Sequence, residues 1–296
     1  MNNGMHGIWA DLCKNNTLNT GTDFTILGIP FDGLASCRRG AALAPERIRH
    51  WSKQITPFSE DRIRLNVLNV NDCGDISINN PLNDFKLIEK RISEISNIPI
   101  ILGGDHSITI PIIKSIREKY KNKRLGILWI DAHPDLCNTF NNSNLSHACV
   151  LRRALEFGID EKDVCMVGVR SWESEEVDFI EKSKLNVFTA MEVEEKGMET
   201  VAKTAVNILS KCDAVYVSFD IDALDTNIAP GTGIPDSGGI GMRETLTLIK
   251  SLQSLPIVGF DMVEVAPNLD PSESTVFSAL KIIMEFMALT AKNKNK

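Results

Sequence analysis

The chain has 296 residues, 43% of them hydrophobic and 24% charged, with a formal net charge of −7 and a pI near 5.4. That composition suits a globular protein with a sizeable core. The acidic surplus argues against a nucleic-acid binder, which carries a basic patch, and agrees with a small cationic partner.

In chain order, continuous apolar runs predict strands at 24–29, 65–70, 98–102, 125–130, 164–169, 185–188, 214–219 and 257–260. Unbroken runs of this length mark strands buried on both faces of a parallel sheet. Helical faces lie between several of them: Phe85, Ile88, Ile92 and Ile95; then Val201, Ala202, Ala205, Val206 and Leu209. A last helix keeps Val276, Phe277, Leu280, Ile283, Met284, Met287 and Ala288 in register. Strands alternating with amphipathic helices imply βαβ units around one parallel sheet, either an open three-layer sandwich or a closed barrel.

No Gly/Ser-rich linker or charge block divides the chain, so a single domain over 1–296 is expected, with its core at about 24–290. A short N-terminal segment precedes it, and the Lys/Asn run 292–296 reads as a frayed tail. The stretch 222–241, with five glycines and two prolines, reads as an ordered site loop, and the Asn-rich stretch 135–146 should share its rim. Arg38-Arg39 reads first as a plain surface pair, with an interface or the site rim as the alternatives.

No basic segment followed by an apolar stretch precedes Trp9, and the apolar runs fall short of the roughly 20 residues that span a bilayer. Seven scattered cysteines without a C-x-x-C pair suit reduced thiols. A cytoplasmic protein with no membrane partner is the expectation.

Three runs end in acid and imidazole. They are Gly103-Gly104-Asp105-His106-Ser107, Asp131-Ala132-His133-Pro134-Asp135 and Asp220-Ile221-Asp222, and they hold two of the chain's five histidines. In a parallel sheet, ligands gather at the carboxyl ends of the strands, so clusters distant in sequence can share one site. Within D-A-H-P-D, alternate residues of an extended segment point the same way, which turns Asp131, His133 and Asp135 toward one cavity. Four carboxylates and two imidazoles suit a pair of divalent ions. The mixed oxygen and nitrogen set favours Mn²⁺, with Zn²⁺, Fe²⁺, Co²⁺ or Ni²⁺ open on ligand type alone. Any one cluster by itself has an ordinary reading as a tight turn, a helix cap or a solvated D-x-D.

Together, G-G-D-H-S, D-A-H-P-D and S-F-D-I-D-A-L-D resemble the motif blocks of the ureohydrolases, the family of arginase, agmatinase, guanidinobutyrase and formimidoylglutamase. Gly28-Ile29-Pro30-Phe31-Asp32-Gly33 and Gly259-Phe260-Asp261-Met262-Val263-Glu264-Val265 extend the match over about residues 27–289. The resemblance implies a three-layer α/β/α sandwich with an eight-stranded parallel sheet and two Mn²⁺ ions per subunit. One ion would take His106, Asp131, Asp135 and Asp220, and the other Asp131, His133, Asp220 and Asp222, with Asp131 and Asp220 bridging. It further implies that His147 shuttles a proton to the leaving amine and that Glu264 holds the guanidinium. A homo-oligomer, trimer or hexamer, is implied in the same way.

The substrate's tail is read from the loops. Arginases carry Asn where this chain has Cys137, and Leu136-Cys137-Asn138 offers no basic residue of the kind formimidoylglutamases place there. Leu145-Ser146-His147 with Leu151-Arg152-Arg153-Ala154, together with Ser36, Arg38, Gly40, Ala41 and Pro230-Gly231-Thr232-Gly233, resembles agmatinases. Ala148, Cys137 and Leu34-Ala35 depart from that pattern. The leading expectation is therefore agmatine plus water giving putrescine plus urea, a step of polyamine synthesis. Guanidinobutyrase or another guanidino- or formimino-compound hydrolase is the alternative. A dimetal phosphoesterase and a non-catalytic metal-dependent binding protein stand further off.

Overall fold

The computed structural model describes residues 6–15 and 21–294. Among these described residues, nine parallel strands form one open sheet. They are β1 (Cys13–Asn15), β2 (Phe24–Gly28), β3 (Val70–Asp75), β4 (Ile98–Leu102), β5 (Leu125–Ile130), β6 (Val164–Val169), β7 (Asn186–Thr189), β8 (Ala214–Asp220) and β9 (Ile257–Val263). Their order is β1-β3-β2-β4-β9-β8-β5-β6-β7, so the sheet has two edges and is not a barrel. Eight strands answer the expected architecture, and β1 adds a three-residue edge against β3.

Among the described residues, nine α-helices flank the sheet: α1 (Ala44–Trp51), α2 (Pro81–Ser93), α3 (Thr109–Lys119), α4 (Val150–Glu156), α5 (Ser174–Lys182), α6 (Ala190–Lys196), α7 (Met198–Leu209), α8 (Met242–Ser251) and α9 (Ser274–Lys294). Because side chains alternate across a strand, a fully apolar strand serves two cores. In β5, Leu128 and Ile130 join the core under α1, α7, α8 and α9, while Ile127 and Trp129 join the one under α2, α3 and α4. This is the three-layer α/β/α sandwich.

Four expectations need correction. The run at 65–70 is not the second strand. Leu65 and Leu68 are buried loop anchors, and pairing starts at Val70 and continues through Asn71 and Asp72. β9 runs three residues past 260, which places Asp261 inside a buried strand. Phe277 lies on the α9 face but is 39% exposed, tilted against Trp51 with ring centroids 5.0 Å apart. Residues 292–294 continue α9, while 295–296 lie outside the described residues. α9 is long and apolar enough for a bilayer span, yet 78% of its apolar window is buried inside the protein, as in a core helix.

Candidate metal centre

The four central strands β4, β9, β8 and β5 stand side by side, and predicted site residues lie at or just beyond the carboxyl end of each. Beyond β4, Gly103-Gly104 leads into a turn that Asp105 caps by accepting Ser107 N–H at 3.1 Å. Gly104 is needed for close approach, since a Cβ there would overlap the carbonyl oxygen of Phe31. Beyond β5 come Asp131, His133 and Asp135. β8 ends in Asp220 followed by Asp222, and β9 is followed by Glu264. Asp135 and Glu264 hold left-handed backbone, φ 51° and 59°, a strain that clusters at functional sites.

The carboxylates are aimed from the backbone. Asp131 Oδ1 accepts His133 N–H at 2.6 Å, Asp220 Oδ1 accepts Asp222 N–H at 2.8 Å, and Asp222 Oδ1 accepts Ala132 N–H at 3.1 Å. Each second oxygen is thereby turned inward. His106 Nδ1 lies 3.2 Å from Oδ2 of Asp131, of Asp135 and of Asp220. Despite that proximity, neither His106 Nδ1 nor Asp131 Oδ2 makes a hydrogen bond, although both are buried. Ligand atoms about 2.1 Å from one ion sit about 3.0 Å apart in an octahedron and about 3.4 Å apart in a tetrahedron. The spacing therefore fits donors around a cation rather than hydrogen-bond partners.

A second group joins the first through Asp131. His133 Nδ1 is 3.1 Å from Asp222 Oδ2 and 3.6 Å from Asp131 Oδ1. Asp131 therefore faces both groups, one oxygen to each, as a bridging ligand would. Asp220 meets His106 through Oδ2 and Asp222 through Oδ1. The four carboxylates outnumber the two imidazoles, so the cluster carries an excess of buried negative charge. Burial and the charges of Asp222 and Asp131 push Asp220 well above the usual carboxylate range. Burial opposes the charged form of His106, but Asp131, Asp135 and Asp220 outweigh it and push its pKa well up. Two divalent cations would balance the four carboxylates.

Behind His106, a polar chain fixes which nitrogen faces the cluster. The Asp261 carboxylate is fully buried and accepts from Tyr216 Oη at 2.6 Å, Thr109 Oγ1 at 2.7 Å, Ser218 Oγ at 2.7 Å and Phe219 N–H at 3.2 Å. Ser218 gives its hydrogen to Asp261, so its oxygen accepts from His106 Nε2, 2.9 Å away. Nε2 then carries the proton and Nδ1 presents its lone pair to the carboxylates. A buried partner setting the tautomer in this way is the usual support of a metal-binding imidazole. The His106 ring also stacks on Trp129, with centroids 4.3 Å apart.

A cleft of about 170 Å³ opens over the cluster, with room for a small linear molecule. His133, Asp135, Asp220, Asp222, His147 and Glu264 all reach it. Glu264 Oε1 accepts His106 N–H at 2.9 Å and lies 3.4 Å from His147 Nδ1. Burial works against a charged His147, but Glu264, with help from Asp135 and Asp105, outweighs it and raises its pKa to about 9. Phe140, Trp172, Glu173 and Glu176 form other parts of the wall. Glu176, buried, accepts Leu136 N–H at 2.8 Å and so fixes the turn after Asp135.

The two loops are ordered. Arg170 donates to the carbonyls of Asp222 at 2.7 Å and Asp236 at 2.6 Å, stitching 222–241 shut. Cys137 is buried and is not among the residues that line the cleft. One loop expectation changes. Arg38 is not a plain surface residue. It lines the cleft and donates to the carbonyls of Thr232 at 2.7 Å and Gly233 at 3.1 Å.

Residues 22–289 match the model of the arginase family. The chain belongs to that family. It is 36% identical to the agmatinase of Chromobacterium violaceum, over 93% of this chain and 85% of that one. It is 32% identical to the guanidinobutyrase of Pseudomonas aeruginosa, over 90% and 86%. Among solved structures, a hypothetical agmatinase from Burkholderia thailandensis superposes with a TM-score of 0.89 at 30% identity, covering 99% of this chain and 94% of that one. Arginase-family enzymes use a binuclear metal centre, and the two carboxylate–imidazole groups joined through Asp131 are the residues that fit one here. The chain is thus an arginase-family hydrolase of guanidino compounds.

Proposed function

We propose that the protein is a binuclear manganese agmatinase, converting agmatine and water to putrescine and urea. His106, Asp131, Asp135 and Asp220 would hold one ion, and Asp131, His133, Asp220 and Asp222 the other. When bound, the pair supplies an activated water at neutral pH and charge stabilisation for the tetrahedral adduct. Glu264 would bind the guanidinium through charge-assisted hydrogen bonds, because its Oε1 is already oriented by His106 N–H and its carboxylate faces the cleft. His147, its Nδ1 on the Glu264 side, would protonate the departing amine nitrogen.

The observation that carries the agmatine reading is the charge of the cleft. Beyond the metal-facing carboxylates and Glu264, the wall adds the exposed carboxylate of Glu173, which suits an ammonium tail, while burial raises the pKa of Glu176 to about 7 and backbone N–H groups hold its two oxygens. Arg38, the one Lys or Arg among the described lining residues, donates through Nε and Nη2 to backbone carbonyls. A guanidino acid would need that same Arg38 as its counter-charge, and the guanidinobutyrase relative keeps this second reading in play. Urea release from agmatine, guanidinobutyrate and arginine by the Mn²⁺-supplemented protein separates them. Agmatine should give the highest kcat/KM, and a higher value for another compound would replace the assignment. A homo-oligomeric assembly and a cytoplasmic setting belong to the same proposal.

A further inference from the structure

His147 is gripped from the side opposite Glu264. The backbone N–H of Ser36 donates to His147 Nε2 at 3.2 Å, and the Ser36 hydroxyl lies 2.8 Å from the same nitrogen. Nδ1 faces the other way, 3.4 Å from Glu264 Oε1, and Phe140 meets the ring edge-on with centroids 6.4 Å apart. A backbone N–H can only donate, so Nε2 must offer a lone pair to it, and the neutral ring then carries its hydrogen on Nδ1. The hydroxyl adds what the N–H cannot. It donates to a bare Nε2 and turns to accept from Nε2–H when the ring takes a second proton.

Resting on the reading of His147 as proton donor, we propose that Ser36 is its positioning residue. Through backbone and hydroxyl it fixes the resting ring so that Nδ1, the nitrogen turned to Glu264 and the cleft, carries a hydrogen whether the ring is neutral or charged. When the charged ring passes that hydrogen to the amine nitrogen, the electron pair of the breaking C–N bond stays on nitrogen. The hydroxyl then accepts from the hydrogen left on Nε2 until a proton from water returns to Nδ1.

Two measurements test this. In the full chain labelled with ¹⁵N only at its five histidines, two-bond proton–nitrogen correlations read the tautomer without any turnover. The signals of His147 are identified by their loss in His147→Gln. Above the pH at which the ring loses its extra proton, Nδ1 should be protonated and Nε2 bare. The reverse pattern overturns the proposal.

In kinetics, Ser36→Ala should lower kcat about tenfold, part of the usual worth of an acid–base group, with KM within about twofold. Ser36→Thr, which keeps the hydroxyl, should restore most of it, and metal content and Tm should match the parent in both. An unchanged kcat in Ser36→Ala overturns the proposal. So does a loss of fold or metal, or a failure of Thr to rescue, since Ser36 would then be scaffold. If no guanidino compound yields urea, the functional reading fails, while the tautomer measurement still decides the placement of the ring.

Discussion

Ser218→Ala removes one oxygen and, with it, two hydrogen bonds at once. His106 Nε2 loses the acceptor 2.9 Å away, and the buried Asp261 carboxylate loses one of its four donors. His106 is 1% exposed, so water does not replace the missing acceptor. Outer partners of this kind are worth about 10–100-fold in metal affinity. That is about 1.4–2.8 kcal/mol, at 1.4 kcal/mol per factor of ten. The metal-free fold should lose about 1–3 kcal/mol for the unsatisfied buried groups. Calorimetric titration of the metal-stripped full chain with Mn²⁺ reads the first quantity, and urea denaturation of the same sample reads the second. A Mn²⁺ affinity within twofold of the parent, alongside a normal loss of stability, would refute the argument that Ser218 sets the tautomer of a metal-binding histidine.

Gly104→Ala should destabilise the protein by about 3 kcal/mol and weaken metal binding, because the new methyl group must push Phe31 away from the turn that carries His106; parent-like denaturation would contradict the close approach. Glu264→Gln should lower kcat/KM by roughly 10–100-fold, the worth of one hydrogen bond to a charged group, while Mn²⁺ affinity changes little. A large loss of metal instead would make Glu264 part of the metal site. Chelation should lower Tm, since ions binding only the folded state add about 4 kcal/mol at a thousandfold excess over Kd. For a chain of this size that is on the order of ten degrees, and a Tm indifferent to Mn²⁺ would count against a built site.

The central strands could be read from sequence because they are apolar on both faces. β5, β6 and β4 fall on the predicted residues, and the three cluster-bearing ends of β4, β8 and β5 lie together with the Glu264-bearing end of β9. β3 escaped because its residues include the polar Asn71, Asp72 and Asp75, the two aspartates paired with Arg49, whereas the apolar Leu65 and Leu68 before it anchor a loop. β1 is three residues long and carries no period to detect. At the site, metal-facing residues were legible because D-x-H-x-D and D-x-D end apolar runs. Most of the wall was not, since Phe140 and the adjacent Trp172 and Glu173 come from separate loops that only the fold brings together, and Ser36 stood out by resemblance alone. The chain behind His106 did leave a trace. Ser218 and Asp261 are polar residues inside otherwise apolar strands, positions that remain polar only when fully hydrogen-bonded.

The most direct test of a binuclear guanidino hydrolase is urea release from agmatine by the metal-stripped chain as Mn²⁺ is added. Activity should rise from nothing and level off at two equivalents per chain. Full activity without metal, saturation at one equivalent, or no urea at any loading would contradict the account.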